Sequence, residues 1–185
     1  MSSTIRSTAA ALLASTALVT ACTAGSAETI GVATSFNVLT YAEEKREAVP
    51  AFSGETLQEG SVVGDELLAG KVGVINFWGS WCGPCRGEQA ELEALWKEYG
   101  PRGVVFLGVN TRRDQRAAAL AYLEEFAVTY PSIYDPPSRI ASDFGVRVMP
   151  ATFVIDTQRR IAAQIIGALR NEADLRTLLD AELAG

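Results

Sequence analysis

The sequence predicts an α/β protein in which a central mixed β-sheet carries helices on both faces, preceded by an N-terminal extension. Two nearly continuous apolar runs, residues 72–78 and 103–109, read as strands covered on both sides. Stretches of helical period alternate with them at 84–99 and 114–127. The composition, 48% hydrophobic and 21% charged over 185 residues, suits one ordinary core rather than a disordered tail or a polytopic membrane protein.

The elements follow in chain order. Residues 1–8 are polar with a single cation, Arg6, and residues 9–19 are apolar and uncharged. A bilayer anchor needs about 20 apolar residues, so this shorter run reads as the hydrophobic part of an export signal. It leads into Val19-Thr20-Ala21-Cys22, which resembles a bacterial lipobox, whose cysteine is acylated and becomes the N-terminus. A plain signal cut after Ala27 is the alternative, with Gly25 and Ala27 as the small residues at the cleavage site. Both readings export the protein to where disulfides persist. The expected organisation is a signal over 1–21, a tether over 22–47 lipidated at Cys22, and a folded domain over 48–185. The expected place is the extracytoplasmic face of the bacterial cell membrane, or a soluble secreted or periplasmic form if Cys22 is cut away.

Residues 23–47 lack a clear period and suit a polar spacer, with room for a short strand or turn before Pro50. After the strand at 72–78 come a helix at 84–99, a strand at 103–109, and a helix through 127 that Asp114 can cap. A short helix at 138–144 closes on Gly145. Residues 152–155 and 161–166 read as a hairpin about a polar turn at 156–160, and a last helix covers 171–183. The resulting order is β-α-β-α-β-β-α.

Composition also excludes whole classes of chemistry. The net charge of −6 argues against a nucleic-acid partner. With no histidine, Ser-His-Asp hydrolysis, His-ligated zinc and His-ligated haem are ruled out. Three cysteines remain: Cys22, Cys82 and Cys85.

Trp81-Cys82-Gly83-Pro84-Cys85 lies between an apolar strand and an amphipathic helix. At a helix N-terminus, unpaired amide hydrogens and the helix dipole stabilise a thiolate, the nucleophile of disulfide exchange. Pro84 has no amide hydrogen to lose in the first turn. The spacing lets Cys85 reach Cys82 and resolve a mixed disulfide. The bland alternatives are half a metal site or two incidental cysteines. A zinc site needs a second ligand pair that this chain does not supply, so neither metal nor cofactor is expected.

Phe77-Trp78-Gly79-Ser80-Trp81-Cys82-Gly83-Pro84-Cys85-Arg86 resembles the active site of the thioredoxin superfamily, and Val148-Met149-Pro150-Ala151-Thr152-Phe153 resembles its cis-proline loop. With Gly108-Val109-Asn110 and the export signal, residues 48–185 resemble the TlpA/ResA-like membrane-anchored thiol-disulfide oxidoreductases. The resemblance implies the thioredoxin fold, a redox-active Cys82–Cys85 disulfide and a cis Pro150 facing the sulfurs, with Met149 beside it. Trp81, Gly83 and Pro84 would shape the substrate surface, whereas Trp78 is expected mainly to pack at the strand end.

Two positions depart from cytosolic thioredoxin. Where that family carries a buried aspartate, six residues before the first cysteine, this chain has Asn76, which cannot accept a proton from Cys85. Stepping about 100° per residue along the helix, Cys85, Leu92, Leu95, Trp96 and Tyr99 define a core-facing arc. Glu88 falls inside it, whereas Glu91, Glu93, Lys97 and Glu98 fall outside. ResA-like proteins have a functional glutamate at the position of Glu88, which implies proton relay for Cys85 by a carboxyl whose pKa burial has raised. The competing reading is a glutamate whose stem packs while its head reaches water.

The direction of electron flow rests on Gly83-Pro84, the thioredoxin dipeptide. Strong oxidants such as DsbA place a histidine in that gap. The two types differ by about 150 mV, or about 7 kcal/mol for two electrons, so the dipeptide points to a reductase. The resemblance implies a disulfide-containing protein as substrate, apocytochrome c being one candidate, and a membrane thiol carrier of the CcdA/DsbD type as electron donor. An exported oxidase or isomerase and a non-catalytic adaptor remain as rival readings.

Overall fold

The computed structural model describes residues 32–35 and 37–185. The expected signal and Cys22 lie outside the described residues. The expected mixed sheet is present. Nine strands are described: β1 (Val32–Ser35), β2 (Val38–Thr40), β3 (Ser53–Glu55), β4 (Val62–Gly64), β5 (Gly73–Trp78), β6 (Val105–Thr111), β7 (Ser132–Asp135), β8 (Ala151–Ile155) and β9 (Ile161–Ile166). The helices are α1 (Gly83–Tyr99), α2 (Arg116–Glu125), α3 (Arg139–Asp143) and α4 (Glu172–Ala184). The main sheet runs β1-β2-β9-β8-β5-β6-β7, and β3 pairs with β4 in a separate hairpin.

All six residues of β5 are buried because the strand is central and covered on both faces. It pairs in parallel with β6 and antiparallel with β8. Alternation along β5 divides the core. Val74 and Trp78 pack with Leu92, Leu95 and Tyr99 of α1, Tyr122 of α2 and Leu175 and Leu179 of α4. Ile75 and Phe77 point the other way, toward Phe153, α3, Phe52 before β3 and Leu68 in the 3-10 turn after β4. Phe144 lies 5.2 Å from the rings of both Phe77 and Phe153. Burying each such side chain contributes about 1.5–3 kcal/mol. This is the thioredoxin fold.

The described structure shifts several expectations. The second strand runs two residues later than 103–109, because Gly103 sits at φ 91 and closes the turn after α1. Asn110 and Thr111 are polar yet fully buried, so polarity marks the strand's end too early in sequence. The helix read over 114–127 spans Arg116–Glu125, and Ala127 at φ 48 stops it. Asp114 does not cap that helix, since Gln115 is the N-cap and makes no side-chain capping bond. β7 has only four residues before Pro136, too few for a period to show.

The folded region also starts before residue 48. β2 pairs with β9, and Val38 is buried against the main core. Arg46 donates to both carboxylate oxygens of Glu182 at 2.8 Å and to Asp156 at 3.1 Å. The latter part of the expected tether is thus fastened to α4 and to the β8–β9 turn. No helix among the described residues is long and apolar enough to cross a membrane.

Candidate active site

β5 ends at Trp78, and the chain turns through Gly79-Ser80-Trp81 into α1. Cys82 is the N-cap of that helix, with Gly83 and Pro84 opening the first turn. The sulfurs of Cys82 and Cys85 are joined, with Cα atoms 5.3 Å apart. Cys85 donates its amide to Cys82 Sγ at 3.3 Å, so an otherwise unpaired helix-end N–H points at the first sulfur. That geometry favours negative charge on Cys82 when the pair is reduced. Both cysteines are buried, Cys82 at 4% exposure and Cys85 at 1%.

Pro150 follows a cis peptide bond after Met149. Its place comes from the sheet: Ala151 pairs with Phe77, which brings the start of β8 beside the end of β5. A Cβ on Gly79 would lie 3.0 Å from the Trp81 indole and 3.3 Å from Met149 Cε, so glycine lets these two side chains close over the turn. Trp81 is nevertheless 58% exposed and Val148 53%, which leaves an apolar surface next to the disulfide. Trp78 is instead buried, stacked on Tyr122 at 4.4 Å.

Glu88 sits one turn beyond Cys85 and is 2% exposed. It accepts from the Leu169 amide at 2.6 Å and from Asn76 Nδ2 at 3.0 Å. Burial pushes its carboxyl up to about 7, against the lowering effect of the Leu169 amide and then of Asn76, while Glu91 adds a further upward push. Asn76 Nδ2 also donates to Thr152 Oγ1 at 3.0 Å, and Asn76 Oδ1 has no partner among the described residues. The structure therefore gathers Cys82, Cys85, Glu88, Trp81, Gly83, Pro84, Met149 and Pro150 at one end of the sheet, where β5 and β6 finish.

One expectation about α1 is overturned. Glu93 is also buried, at 5% exposure, although the wheel places it on the solvated side. The loop after α2 covers that flank: Thr129 donates to Glu93 through its amide at 3.0 Å and its hydroxyl at 2.6 Å. Lys97 adds a 3.3 Å ion pair. A helical wheel cannot foresee a neighbour that arrives from elsewhere in the chain.

Sequence reasoning also missed a clamp on the turn before Cys82. Asp114 accepts from the Ser80 amide and hydroxyl, each at 2.6 Å, and from Asn110 Nδ2 at 2.7 Å. The carboxylate thereby ties the loop after β6 to the cysteine turn, with charge-assisted bonds. A buried Asp after a strand end is the available signal, but its partners lie far off in sequence. Tyr122 donates to the carbonyl of Cys85 at 3.0 Å, fixing α1 from the other side.

Comparison with known proteins agrees with this geometry. The family model described as Redoxin matches residues 44–179. The chain is 37% identical over 105 residues to "Thiol:disulfide interchange protein DsbE" of Allochromatium vinosum, covering 56% of each chain. It is 36% identical over 121 residues to "Thiol:disulfide interchange protein HelX" of Rhodobacter capsulatus, covering 65% of each. To "Thiol-disulfide oxidoreductase ResA" of Geobacillus thermodenitrificans it is 32% identical, covering 56% of this chain and 59% of the relative. The chain thus spans a little over half the length of these curated relatives. Among solved structures, a secreted thiol-disulfide isomerase from Corynebacterium glutamicum superposes with a TM-score of 0.75 at 30% identity, covering 80% of this chain and 92% of that one. A DsbF homologue from Corynebacterium diphtheriae gives 0.72 at 32% identity, covering 78% and 92%. Matched across residues 44–179, which take in α1, the cysteine pair and most of the sheet, the chain belongs to the Redoxin family.

Proposed function

We propose that the protein is an exported thiol-disulfide oxidoreductase that reduces protein disulfides. The observation that carries this reading is the Cys82–Cys85 disulfide at the start of α1, under an exposed apolar rim and beside the Met149–Pro150 loop. In the reduced pair the Cys82 thiolate attacks one sulfur of a substrate disulfide and expels the other as a thiolate. Cys85 then attacks Cys82 and releases the substrate. Two electrons pass to the substrate, and the protein is left oxidised. Glu88 holds the proton that Cys85 gives up as it becomes a thiolate. A membrane dithiol carrier of the CcdA/DsbD type restores the reduced state, and apocytochrome c fits as a substrate that must be kept reduced.

The test is catalysed reduction of insulin disulfides together with the redox potential measured in a glutathione or dithiothreitol buffer. The expected result is clear acceleration and a potential near about −270 mV, as for thioredoxin. Absence of acceleration would remove the oxidoreductase reading. The likeness to the secreted thiol-disulfide isomerase of Corynebacterium glutamicum favours a second reading, isomerisation, which a potential well above that value would support.

The lipobox reading places the protein on the membrane through Cys22. Intact mass of the exported protein is expected to show a diacylglyceryl-modified N-terminus at Cys22. An unmodified N-terminus at Glu28 would instead establish the soluble form.

A further inference from the structure

The chain carries net charge −6, yet its charges are not evenly spread. Arg46, Arg86, Arg102, Arg116, Arg159, Arg160 and Arg176 each pair with a carboxylate. Apart from Arg139, which lies beside Asp135, the exposed arginines that form no ion pair with any described residue are Arg112, Arg113, Arg147 and Arg170. All four lie on loops around the cysteine pair. Arg112 and Arg113 follow β6 directly before Asp114, whose carboxylate grips Ser80 in the cysteine turn. Arg112 donates to the carbonyl of Arg147 at 2.8 Å, joining this loop to the one that leads into Pro150. Arg170 follows Leu169, whose amide holds Glu88, and Gly167 in the same loop donates to the Pro150 carbonyl at 2.9 Å.

The carboxylates at this end are turned inward. Asp114 is spent on Ser80 and Asn110, and Asp135 accepts the first amides of α3. Asp135 also offsets the charge of neighbouring Arg139. Asp143, in the last turn of α3, and Glu172, which opens α4 and lies 3.7 Å from Arg176, are exposed acidic neighbours, and against the four arginines they leave the rim positive. Arg112 and Arg113 both adopt positive φ, 61° and 58°. Left-handed backbone is disfavoured for a residue with a side chain, so two consecutive arginines are held there at some expense to stability.

We infer that this rim of unpaired arginines recruits protein substrates whose disulfide is flanked by aspartate or glutamate. The inference rests on the proposed oxidoreductase function and names its substrate class. The exchange is the one already written, with two electrons passing from the Cys82–Cys85 dithiol to the acidic substrate's disulfide. A positive rim on an acidic protein focuses approach onto the sulfurs and repels basic segments, which acts mainly on the association rate and weakens with salt.

The experiment compares three peptide disulfides of equal length, with acidic, neutral or basic flanks, reduced by the pre-reduced full chain at low and high salt. The expected result is an acidic peptide reduced about tenfold faster than the neutral one at low salt, the basic peptide slowest, and the ratio falling toward one at high salt. In the triple variant Arg113→Gln, Arg147→Gln, Arg170→Gln the acidic-to-neutral ratio should fall to about one at low salt. Equal rates for the three peptides in the unsubstituted protein overturn the inference and leave the oxidoreductase reading standing. Failure with all three peptides would instead strike the oxidoreductase reading itself. Binding to anionic lipid vesicles without any peptide preference assigns the rim to a membrane surface and likewise overturns the inference.

Discussion

Replacing Cys85 by alanine is expected to stop turnover at the mixed disulfide and to leave Cys82 covalently bound to its substrates. In the proposed mechanism Cys82, the N-cap of α1, attacks, and Cys85 in the first turn of the helix resolves. Non-reducing gels of envelope proteins from cells expressing Cys85→Ala should show discrete conjugates that vanish with dithiothreitol, and mass spectrometry would name the partners. Replacing Cys82 instead should abolish both turnover and conjugates. Conjugates formed through Cys85 in a Cys82→Ser protein would reverse the assignment. The cavity left by Cys85→Ala is small, so folding should survive both changes.

The second large effect concerns Glu88→Gln, and it has a stability arm and a rate arm. The carboxyl is raised from 4.5 to about 7 in the folded protein, so between those values the native state holds a proton that the unfolded chain has lost. Stability therefore falls as pH rises from about 4.5 to about 7 and stays reduced above it, by up to about 3 kcal/mol. Glu88→Gln removes this penalty. Urea unfolding at pH 8 should find the variant the more stable protein, and at pH 5 the difference should largely disappear. In the rate arm, mixed-disulfide resolution should slow about a hundredfold and lose its inflection near pH 7, as expected when a general acid–base group is removed. Unchanged rates and thiol pKa values would reduce Glu88 to a packing residue. The two arms separate, because the stability change needs only burial whereas the rate change needs proton transfer to or from Cys85.

How far the sequence was legible depended on whether the cause of each feature was local. β5, α1, β8, β9 and α4 were all readable because an apolar run or a helical stripe spans each of them. The Cys82 turn and Pro150 were legible because their motifs are contiguous. Glu88 was reachable from the wheel, since Cys85, Leu92 and Tyr99 define the buried arc on the same helix. What was missed arrives from a distance. β2 needs β9 beside it to be a strand at all, and its three residues carry no period of their own. Glu93 is buried only because Thr129 folds over it, and the Leu169 amide that grips Glu88 is 81 positions away. The role of Asp114 was misread because a carboxylate before a helix ordinarily caps it, and here Ser80 and Asn110 share its oxygens while the helix start contributes only the Gln115 amide.

Asn76 gives the site a property that an aspartate there would take away. A side-chain amide has nearly the same outline when rotated by half a turn, with donor and acceptor exchanged. Its NH₂ donates to Glu88 and to the Thr152 hydroxyl oxygen, an arrangement that suits an ionised Glu88, and its own oxygen has no partner among the described residues. Once Glu88 takes up a proton, the inverted amide can accept that new O–H, and the Thr152 hydroxyl can turn to donate. Both charge states of Glu88 are then hydrogen-bonded without moving the backbone. A carboxylate at 76 would stand about 3 Å from Glu88, and the two would share protons as one coupled acid with two spread-out titration steps. With an amide there, Glu88 titrates without a second acid at its side, as the proposed proton transfer to and from Cys85 requires.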